Sequence, residues 1–259
     1  MHKLGHTRSV NSRDHLLHTP DTFIRIPLPS LEGGVAIVHT SPAGGAGFTQ
    51  YTVEMEAGSR LGPTSNQRFV YLLDGSAKIV LHQVTNVEEP GFQVTKNVTH
   101  ALTPGSYAYL PEDLDASLTA LEPSRIAILE KSYEPHPTLP PPPAFFGHEA
   151  EAPASALNGD PDLEVRTLLP DSPAHDFAVN TMTYQPGAAL PMVEVHIMEH
   201  GLLMLAGGGI YRLGDQWYPV TAGDFIWMAP YCPQWFGAIG KQPAKYLIYK
   251  DFNRHPLSW

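Results

Sequence analysis

Three residues in the second half of the chain have the types and spacing of metal ligands. Glu194, His196 and His200 follow one another at intervals of two and four residues. If this segment is extended, such residues point to the same face of a sheet, so the three side chains can converge on one point. A carboxylate and two imidazoles suit a divalent first-row metal ion. The surrounding sequence must then supply the strands that hold such a site.

The composition favours strands over helices. The 259 residues include 22 glycines and 26 prolines, above the ~12% that these two residues usually contribute together. Frequent turn residues of this kind indicate many short strands. Hydrophobic residues make up 42% of the chain and charged residues 16%, which indicates a folded core and argues against disorder. We therefore expect an all-β protein.

Charge and cysteine content restrict the partners. The formal net charge of −10 argues against a nucleic-acid footprint, so the expected partner is a small-molecule substrate. Cys232 is the single cysteine, which excludes an intrachain disulfide and an all-cysteine metal cage. Residues 1–6 lack the apolar core of a signal peptide, and no apolar run reaches the length of a membrane span. We expect a cytoplasmic protein with no membrane partner.

The two halves of the chain repeat one pattern of strands. Residues 68–75 align with 200–207, 102–110 with 220–228, and 125–131 with 245–250. An internal duplication of one β unit explains this order. The run from Pro140 to Pro143 between the halves cannot lie inside a sheet. We predict an N-terminal domain over residues 1–133, a linker over 134–160 and a C-terminal domain over 161–259.

The C-terminal half carries the motifs of a known superfamily. The residues concerned are Gly187, Glu194, His196, His200, Gly207, Gly223, Asp224 and Gln234. Their arrangement resembles the two motifs of the cupins, although the usual order is His, His, Glu and a distant His. The order Glu, His, His, Gln is similar to that of the (S)-ureidoglycine aminohydrolase family. The resemblance extends from about residue 48 to the end and includes LLMLAGGGIYRLGD at 202–215.

This resemblance implies a fold and a metal. The fold would be a bicupin, two tandem cupin barrels that are each a double-stranded β-helix or jelly roll. Manganese (Mn2+) would be held in the C-terminal barrel by Glu194, His196, His200 and Gln234. Members of the family tend to associate, so a homo-oligomer is expected.

The resemblance also implies a reaction and its residues. The reaction would be hydrolysis of (S)-ureidoglycine to (S)-ureidoglycolate and ammonia in purine (allantoin) catabolism. Tyr211, Tyr246 and Lys250 would contact the substrate, and Glu194 and Lys250 are the candidate catalytic residues. Whether water attacks the carbon directly, or only after ammonia has left to form an imine, stays open.

Other interpretations remain alternatives. Two His and one carboxylate also fit an iron dioxygenase or a metal-dependent isomerase. A cupin that binds a small ligand without catalysis is a third possibility. Cys232 has no activating neighbours in the sequence and is not expected to act as a nucleophile. Glu199 precedes a ligand position in a strand and is therefore expected to face away from the site.

The first copy of the repeat provides an internal control. Gly62, Thr64 and Arg68 stand where the second copy has its first three ligand candidates, and Asp115 falls near the place of Gln234. Glycine and arginine offer no ligand comparable to a carboxylate or a neutral imidazole. We therefore predict that the N-terminal barrel binds no metal.

Overall fold

The computed structural model describes residues 6–86 and 93–254. Residues 1–5, which contribute to the predicted absence of a signal peptide, lie outside this range. None of the described helices has the length and apolar character needed to cross a membrane. All of them are short 3-10 turns, at Pro20–Thr22, Pro42–Gly44 and Glu149–Glu151.

Twenty-one strands make up the rest of the regular structure within the described ranges. The first twelve are β1 (Val10–Asn11), β2 (His15–His18), β3 (Arg25–Ile26), β4 (Leu31–Thr40), β5 (Thr49–Leu61), β6 (Gln67–Asp74), β7 (Ala77–Asn86), β8 (Gln93–Leu102), β9 (Ser106–Leu110), β10 (Ala116–Ala120), β11 (Ser124–Lys131) and β12 (Phe145–His148). The others are β13 (Ala154–Leu157), β14 (Asp160–Thr167), β15 (Ala178–Tyr184), β16 (His200–Ala206), β17 (Gly208–Leu213), β18 (Gln216–Thr221), β19 (Phe225–Met228), β20 (Gln234–Ala238) and β21 (Ala244–Lys250). The predicted all-β class is confirmed.

The strands form three sheets of antiparallel pairs. A ten-stranded sheet has the order β12-β9-β6-β11-β5-β10-β7-β8, with β4 pairing with β5 and β3 with β4. An eight-stranded sheet has the order β1-β2-β19-β16-β21-β15-β14-β13, and a three-stranded sheet has the order β18-β17-β20. The strand sequence β9-β6-β11-β5 in one half thus recurs as β19-β16-β21-β15 in the other.

The pairing registers support the internal repeat. Arg68 in β6 lies opposite Glu130 in β11 and Leu110 in β9. His200 in β16 lies opposite Lys250 in β21 and Met228 in β19. In the sequence alignment of the two copies, Leu110 aligns with Met228, and Glu130 and Lys250 lie in the aligned segments 125–131 and 245–250. The residue that begins the central strand therefore occupies the same position in each half.

Three apolar cores follow from the alternation of side chains along these strands. One face of the ten-stranded sheet encloses a core with Val53, Val70 and Ile128. The eight-stranded and three-stranded sheets enclose a second core with Leu202, Tyr211 and Phe236. The third core lies between the two halves. Its larger members are Phe48, Phe69, Tyr109, Phe177, Phe225, Trp227 and Tyr249. The predicted bicupin arrangement fits this set of two enclosed cores that share a back-to-back interface.

Strands from outside each predicted domain extend the two large sheets. Residues 10–18 lie in the predicted N-terminal domain, yet β2 pairs with β19 of the C-terminal sheet. Residues 134–160, predicted as a linker, contain β12, which pairs with β9 of the N-terminal sheet, and β13, which pairs with β14. Each large sheet is therefore extended by a strand from elsewhere in the chain, and the proposed domain boundaries do not separate two independent sets of strands.

His39 shows how closely the halves pack. Its ring stacks on Phe225 of the C-terminal sheet with 5.0 Å between ring centroids, and its Nε2 lies 2.9 Å from Thr52 Oγ1. Burial lowers the pKa of His39 to about 3, so the ring is neutral near neutral pH. Nearby, Phe48 packs directly over Gly201, where any side chain would overlap its ring. The residue after His200 is thus a glycine because the N-terminal half approaches the strand there.

Candidate metal centre

The segment from Glu194 to His200 does not form the extended strand on which its spacing was first interpreted. His200 begins β16, but Glu194 makes an isolated bridge and residues 197–198 form a bend. Backbone hydrogen bonds to other segments fix this path, including one from Tyr231 N to His196 O at 2.7 Å. The condition of an extended segment is therefore not met, and tertiary contacts hold the ligand candidates near one another.

Glu194 and Gln234 are held side by side. Their backbones exchange two hydrogen bonds, from Glu194 N to Gln234 O and from Gln234 N to Glu194 O, each 2.8 Å long. His196 Nε2 lies 3.1 Å from Glu194 Oε2. Gln234 begins β20 of the three-stranded sheet, so this bridge connects the ligand segment to the rim of that sheet.

His200 approaches the same place from the large sheet. Its ring centroid lies 5.1 Å from that of His196. His200 Nδ1 lies 2.6 Å from the carbonyl oxygen of Glu199, which can only accept, so Nδ1 carries the proton and Nε2 keeps a lone pair. Burial, together with Lys250 and His196, lowers the pKa of His200 to about 3. A buried, neutral imidazole with a fixed tautomer is the form that binds metal ions.

Tyr211 contacts Gln234 directly. The Tyr211 hydroxyl donates to Gln234 Oε1 at 3.0 Å, and both side chains are buried. Burial raises the pKa of Tyr211 well above its usual value, so the phenol stays protonated and remains a donor. This hydrogen bond identifies Oε1 as the amide oxygen and fixes its direction. Tyr211 thus orients a ligand candidate, a role that the sequence did not predict.

Lys250 lies beside His200 on the neighbouring strand. Burial lowers the pKa of Lys250, and the negative charge of Glu194 partly offsets that effect. Within the described parts of the chain, no carboxylate lies within 4.0 Å of its ammonium group. A desolvated ammonium without a close counter-ion is costly unless an anion binds there.

Tyr246 lies deeper in the C-terminal core. Its hydroxyl is 2.8 Å from the Tyr184 hydroxyl and 3.3 Å from Met182 Sδ. Burial is the largest cause of its raised pKa, and Tyr184, Tyr211 and Glu194 add to it. Tyr184 was not singled out in the sequence, where it looks like any strand aromatic. The structure makes it the partner of Tyr246.

Access to this group is one-sided. His200 and Gln234 are 3% and 4% exposed, whereas the side chains of Glu194 and His196 are 24% and 34% exposed. Val195, between them, is exposed. Glu194 and His196 therefore form the solvent-facing side of the group, and His200 and Gln234 form its buried side.

The corresponding place in the N-terminal half is filled by an ion pair. Arg68 is buried, and its Nε donates to Glu130 Oε1 at 2.7 Å. Its Nη1 donates to the carbonyl oxygen of Gly62, and the Tyr51 hydroxyl also donates to Glu130. A guanidinium cannot lose its proton to become a ligand. This arrangement supports the proposal that the N-terminal barrel holds no metal.

Two neighbours of the ligand candidates behave as structural groups. The Glu199 carboxylate accepts hydrogen bonds from Gly47 N at 2.9 Å and from Trp227 Nε1 at 3.0 Å, on the side that faces the N-terminal half. Burial raises the pKa of Glu199 and raises that of the Cys232 thiol to about 11. A thiol with such a pKa is protonated near neutral pH and is a poor nucleophile.

The donor set fits a divalent ion that prefers oxygen and nitrogen. Glu194 and Gln234 offer oxygens, and His200 offers a free Nε2. The ligand atoms of Glu194, His196 and His200 do not all lie within 4.8 Å of one another. Among the described residues, the ligand atoms of Asp14, His15 and Cys232 do lie that close together. His196 Nε2 and Glu194 Oε2 are 3.1 Å apart, so His200 is the member whose ring nitrogens lie beyond this limit from at least one of these two atoms.

The fold is that of a cupin. A model of the cupin domain matches residues 180–249, which include His200, Tyr211 and Gln234. The solved structure of protein Ylba from E. coli is similar over 97% of each chain, with 25% identity and a TM-score of 0.80.

Similarity over nearly the whole chain identifies the enzyme family within the cupins. The (S)-ureidoglycine aminohydrolase of Arabidopsis thaliana is 41% identical over 98% of this chain and 80% of its own. The enzyme of that name from Escherichia coli is 28% identical over 97% of this chain and 93% of its own. The chain belongs to the (S)-ureidoglycine aminohydrolase family, and the prediction that it is an enzyme is confirmed.

Proposed function

We propose that this protein releases ammonia from (S)-ureidoglycine by hydrolysis and that the reaction depends on manganese bound in the C-terminal barrel. The observation that carries the proposal is that His196 lies beside both Glu194 and His200, while Gln234 is bridged to Glu194 and fixed by Tyr211. Membership of the family supports the substrate. The oxygen and nitrogen donors support manganese over a thiophilic ion.

The proposed reaction exchanges one bond to carbon for another. The oxygen of water takes the place of the amine on its carbon, the carbon–nitrogen bond breaks, and one proton of the water goes to the nitrogen, which leaves as ammonia. Direct displacement by water, and loss of ammonia to an imine followed by addition of water, both give this balance. When bound, the metal would supply open coordination positions and Lewis acidity for a substrate that carries an amine and a carboxylate. The protein would fix which face of the chiral carbon meets water, which is a positioning role.

Lys250 suits the substrate carboxylate. Its ammonium lies next to His200 in the register of the sheet, is largely desolvated and has no close carboxylate among the described side chains. A charge-assisted hydrogen bond from lysine to a carboxylate would satisfy it. Tyr246, 2.8 Å from the Tyr184 hydroxyl, would bound the buried end of the pocket.

Glu194 is the proposed proton acceptor. Its carboxylate is partly exposed at the entrance and already accepts a hydrogen bond from His196 Nε2. A group at this position can receive the proton of an attacking water and return one to the departing nitrogen. The proposal also includes a cytoplasmic location and a homo-oligomer. Light scattering of the purified protein would test the homo-oligomer.

The decisive assay generates ureidoglycine in place from allantoate with a coupling enzyme and measures ammonia. We expect ammonia above the uncatalysed background with Mn2+ and a return to background with a chelator. Arg68→Ala, at the matching position of the other half, should keep manganese-dependent turnover if it folds. Oxygen consumption in place of ammonia release would favour an iron dioxygenase and would contradict the proposal.

A further inference from the structure

A second group of ligand-type side chains lies where the N-terminal segment joins the C-terminal sheet. Asp14 ends the turn that precedes β2, His15 begins β2, and Cys232 lies in the loop before β20. One carboxylate oxygen, one imidazole nitrogen and the sulfur all lie within 4.8 Å of one another. Cys232 is more than 200 positions from Asp14 and His15 in the chain, and the pairing of β2 with β19 brings them together.

Hydrogen bonds to two neighbours hold the histidine of this group. His15 Nδ1 lies 2.9 Å from Asp14 Oδ1, and His15 Nε2 lies 2.9 Å from the Tyr218 hydroxyl. An ionised carboxylate can only accept, so without an ion Nδ1 carries the proton and Nε2 accepts from Tyr218. An ion bound by Nδ1 would take the place of that proton, and Nε2 would then donate to Tyr218. A hydrogen bond to the second ring nitrogen is the usual way in which proteins fix a histidine ligand.

The surroundings leave one side open. His15 and Cys232 are 3% and 4% exposed, whereas the side chain of Asp14 is 47% exposed. Gly214 borders the group, and a side chain there would come within 3.2 Å of Asp14 Oδ2. The two buried ligands can thus form the floor of a site that an ion enters past Asp14.

We propose that Asp14, His15 and Cys232 bind a zinc ion that fastens the N-terminal strand to the C-terminal barrel. Sulfur, nitrogen and oxygen from three side chains, with water in a fourth position, form a tetrahedral set that zinc accepts readily. Zinc binds the thiolate, so the proton of the Cys232 thiol is released to solvent on binding. The candidate manganese site contains no sulfur, so the two sites differ in the metal they favour.

The position of this site gives it a structural consequence. Ala229 N donates to Asp14 O at 2.9 Å, and His15 lies opposite Met228 in the sheet. An ion on Cys232 would therefore hold residues 14–15 against the loop that ends at Gln234. We expect zinc to stabilise the packed N-terminal strand by binding the folded form and not the unfolded one.

The single cysteine gives a specific test with Co2+ alone as the probe, added to the full-length protein. Any thiolate-to-cobalt charge-transfer band must come from Cys232, because the chain has no other cysteine. We expect such a band to saturate at one equivalent per chain, to be reversed by zinc, and to disappear in Cys232→Ser. His15→Gln and Asp14→Asn should weaken cobalt binding at least tenfold, whereas Asp21→Asn, in the same segment, should not.

A second measurement guards against misfolded variants. Zinc should raise the melting temperature of the wild-type protein and of Asp21→Asn, and it should leave that of His15→Gln unchanged. Absence of the charge-transfer band in the folded wild-type protein would overturn the proposal. A band of unchanged affinity in both His15→Gln and Asp14→Asn would also overturn it, since it would show adventitious binding by the thiol alone.

Discussion

Tyr211→Phe is the perturbation that most sharply separates an oriented metal ligand from a plain loop glutamine. The change deletes one hydroxyl, which donates to Gln234 Oε1 at 3.0 Å, and keeps the ring that packs against Phe236. The amide oxygen of Gln234 would lose the donor that fixes its direction. If Gln234 binds the metal, the loss must appear in metal affinity.

The magnitude follows from the known effect of hydrogen bonds to metal ligands. Removing a hydrogen-bond partner of a metal ligand typically weakens binding 10–100-fold, which corresponds to about 1.4–2.7 kcal/mol. We therefore expect the dissociation constant for Mn2+ to rise by at least tenfold. Leaving the buried acceptor without its donor should also cost the metal-free protein about 1–3 kcal/mol of folding stability.

The assay is titration of the metal-free protein with Mn2+. Binding is monitored by calorimetry or by the resonance signal of the free ion. Tyr51→Phe is the matched control, because its hydroxyl donates to Glu130 at 2.9 Å in the other half of the molecule. Wild-type affinity in Tyr211→Phe would refute the reasoning. Equal weakening in both variants would show a general loss of packing.

Three further outcomes are expected. Glu194→Gln should weaken Mn2+ binding and abolish ammonia release, and retention of both metal and turnover would exclude the proton role. Lys250→Met should raise KM about tenfold or more, as loss of a charge-assisted hydrogen bond costs about 1.5–3 kcal/mol, with a smaller effect on kcat in steady-state assays. The pKa of His39 is about 3 in the folded chain against 6.5 when free, so the stability it contributes is present above pH 6.5 and is lost as the pH falls toward 3. His39→Gln should therefore remove roughly 2 kcal/mol of the fall in unfolding free energy between pH 8 and pH 5, measured by urea denaturation at each pH.

The repeat made much of the fold predictable. A duplicated unit keeps its spacing, so the alignment of the two copies correctly anticipated that Arg68 and His200 occupy matching positions. It did not reveal that β2 and β12 extend sheets of other parts of the chain. Short strands carry a local pattern of burial, but which sheet edge they join depends on packing between distant segments.

The residue types of the candidate site were predictable from the sequence, but the course of the backbone that carries them was not. Glu194 and His196 reach the site because the Glu194–Gln234 bridge and the bond from Tyr231 N to His196 O hold a bent segment. Both are tertiary contacts that spacing along the chain cannot reveal. Tyr184 was missed for the same reason, since its role appears only once Tyr246 is placed beside it.

Asp14 and His15 were missed altogether. A lone cysteine close to a ligand candidate was visible in the sequence, but nothing in the sequence connects it to an acidic residue and a histidine near the N-terminus. The connection needs the β2–β19 pairing, in which His15 lies opposite Met228. Long-range exchange of a strand is therefore the main feature that sequence reasoning could not reach.

The central claim is that Glu194, His196, His200 and Gln234 hold the metal on which the reaction depends. The most direct test is the number of Mn2+ ions bound per chain, measured from the loss of the free-ion resonance signal, in the wild-type protein and in His200→Ala. We expect one equivalent in the wild-type protein, and in His200→Ala a loss of tight binding together with a loss of ammonia release. One tightly bound equivalent in both proteins would contradict the account.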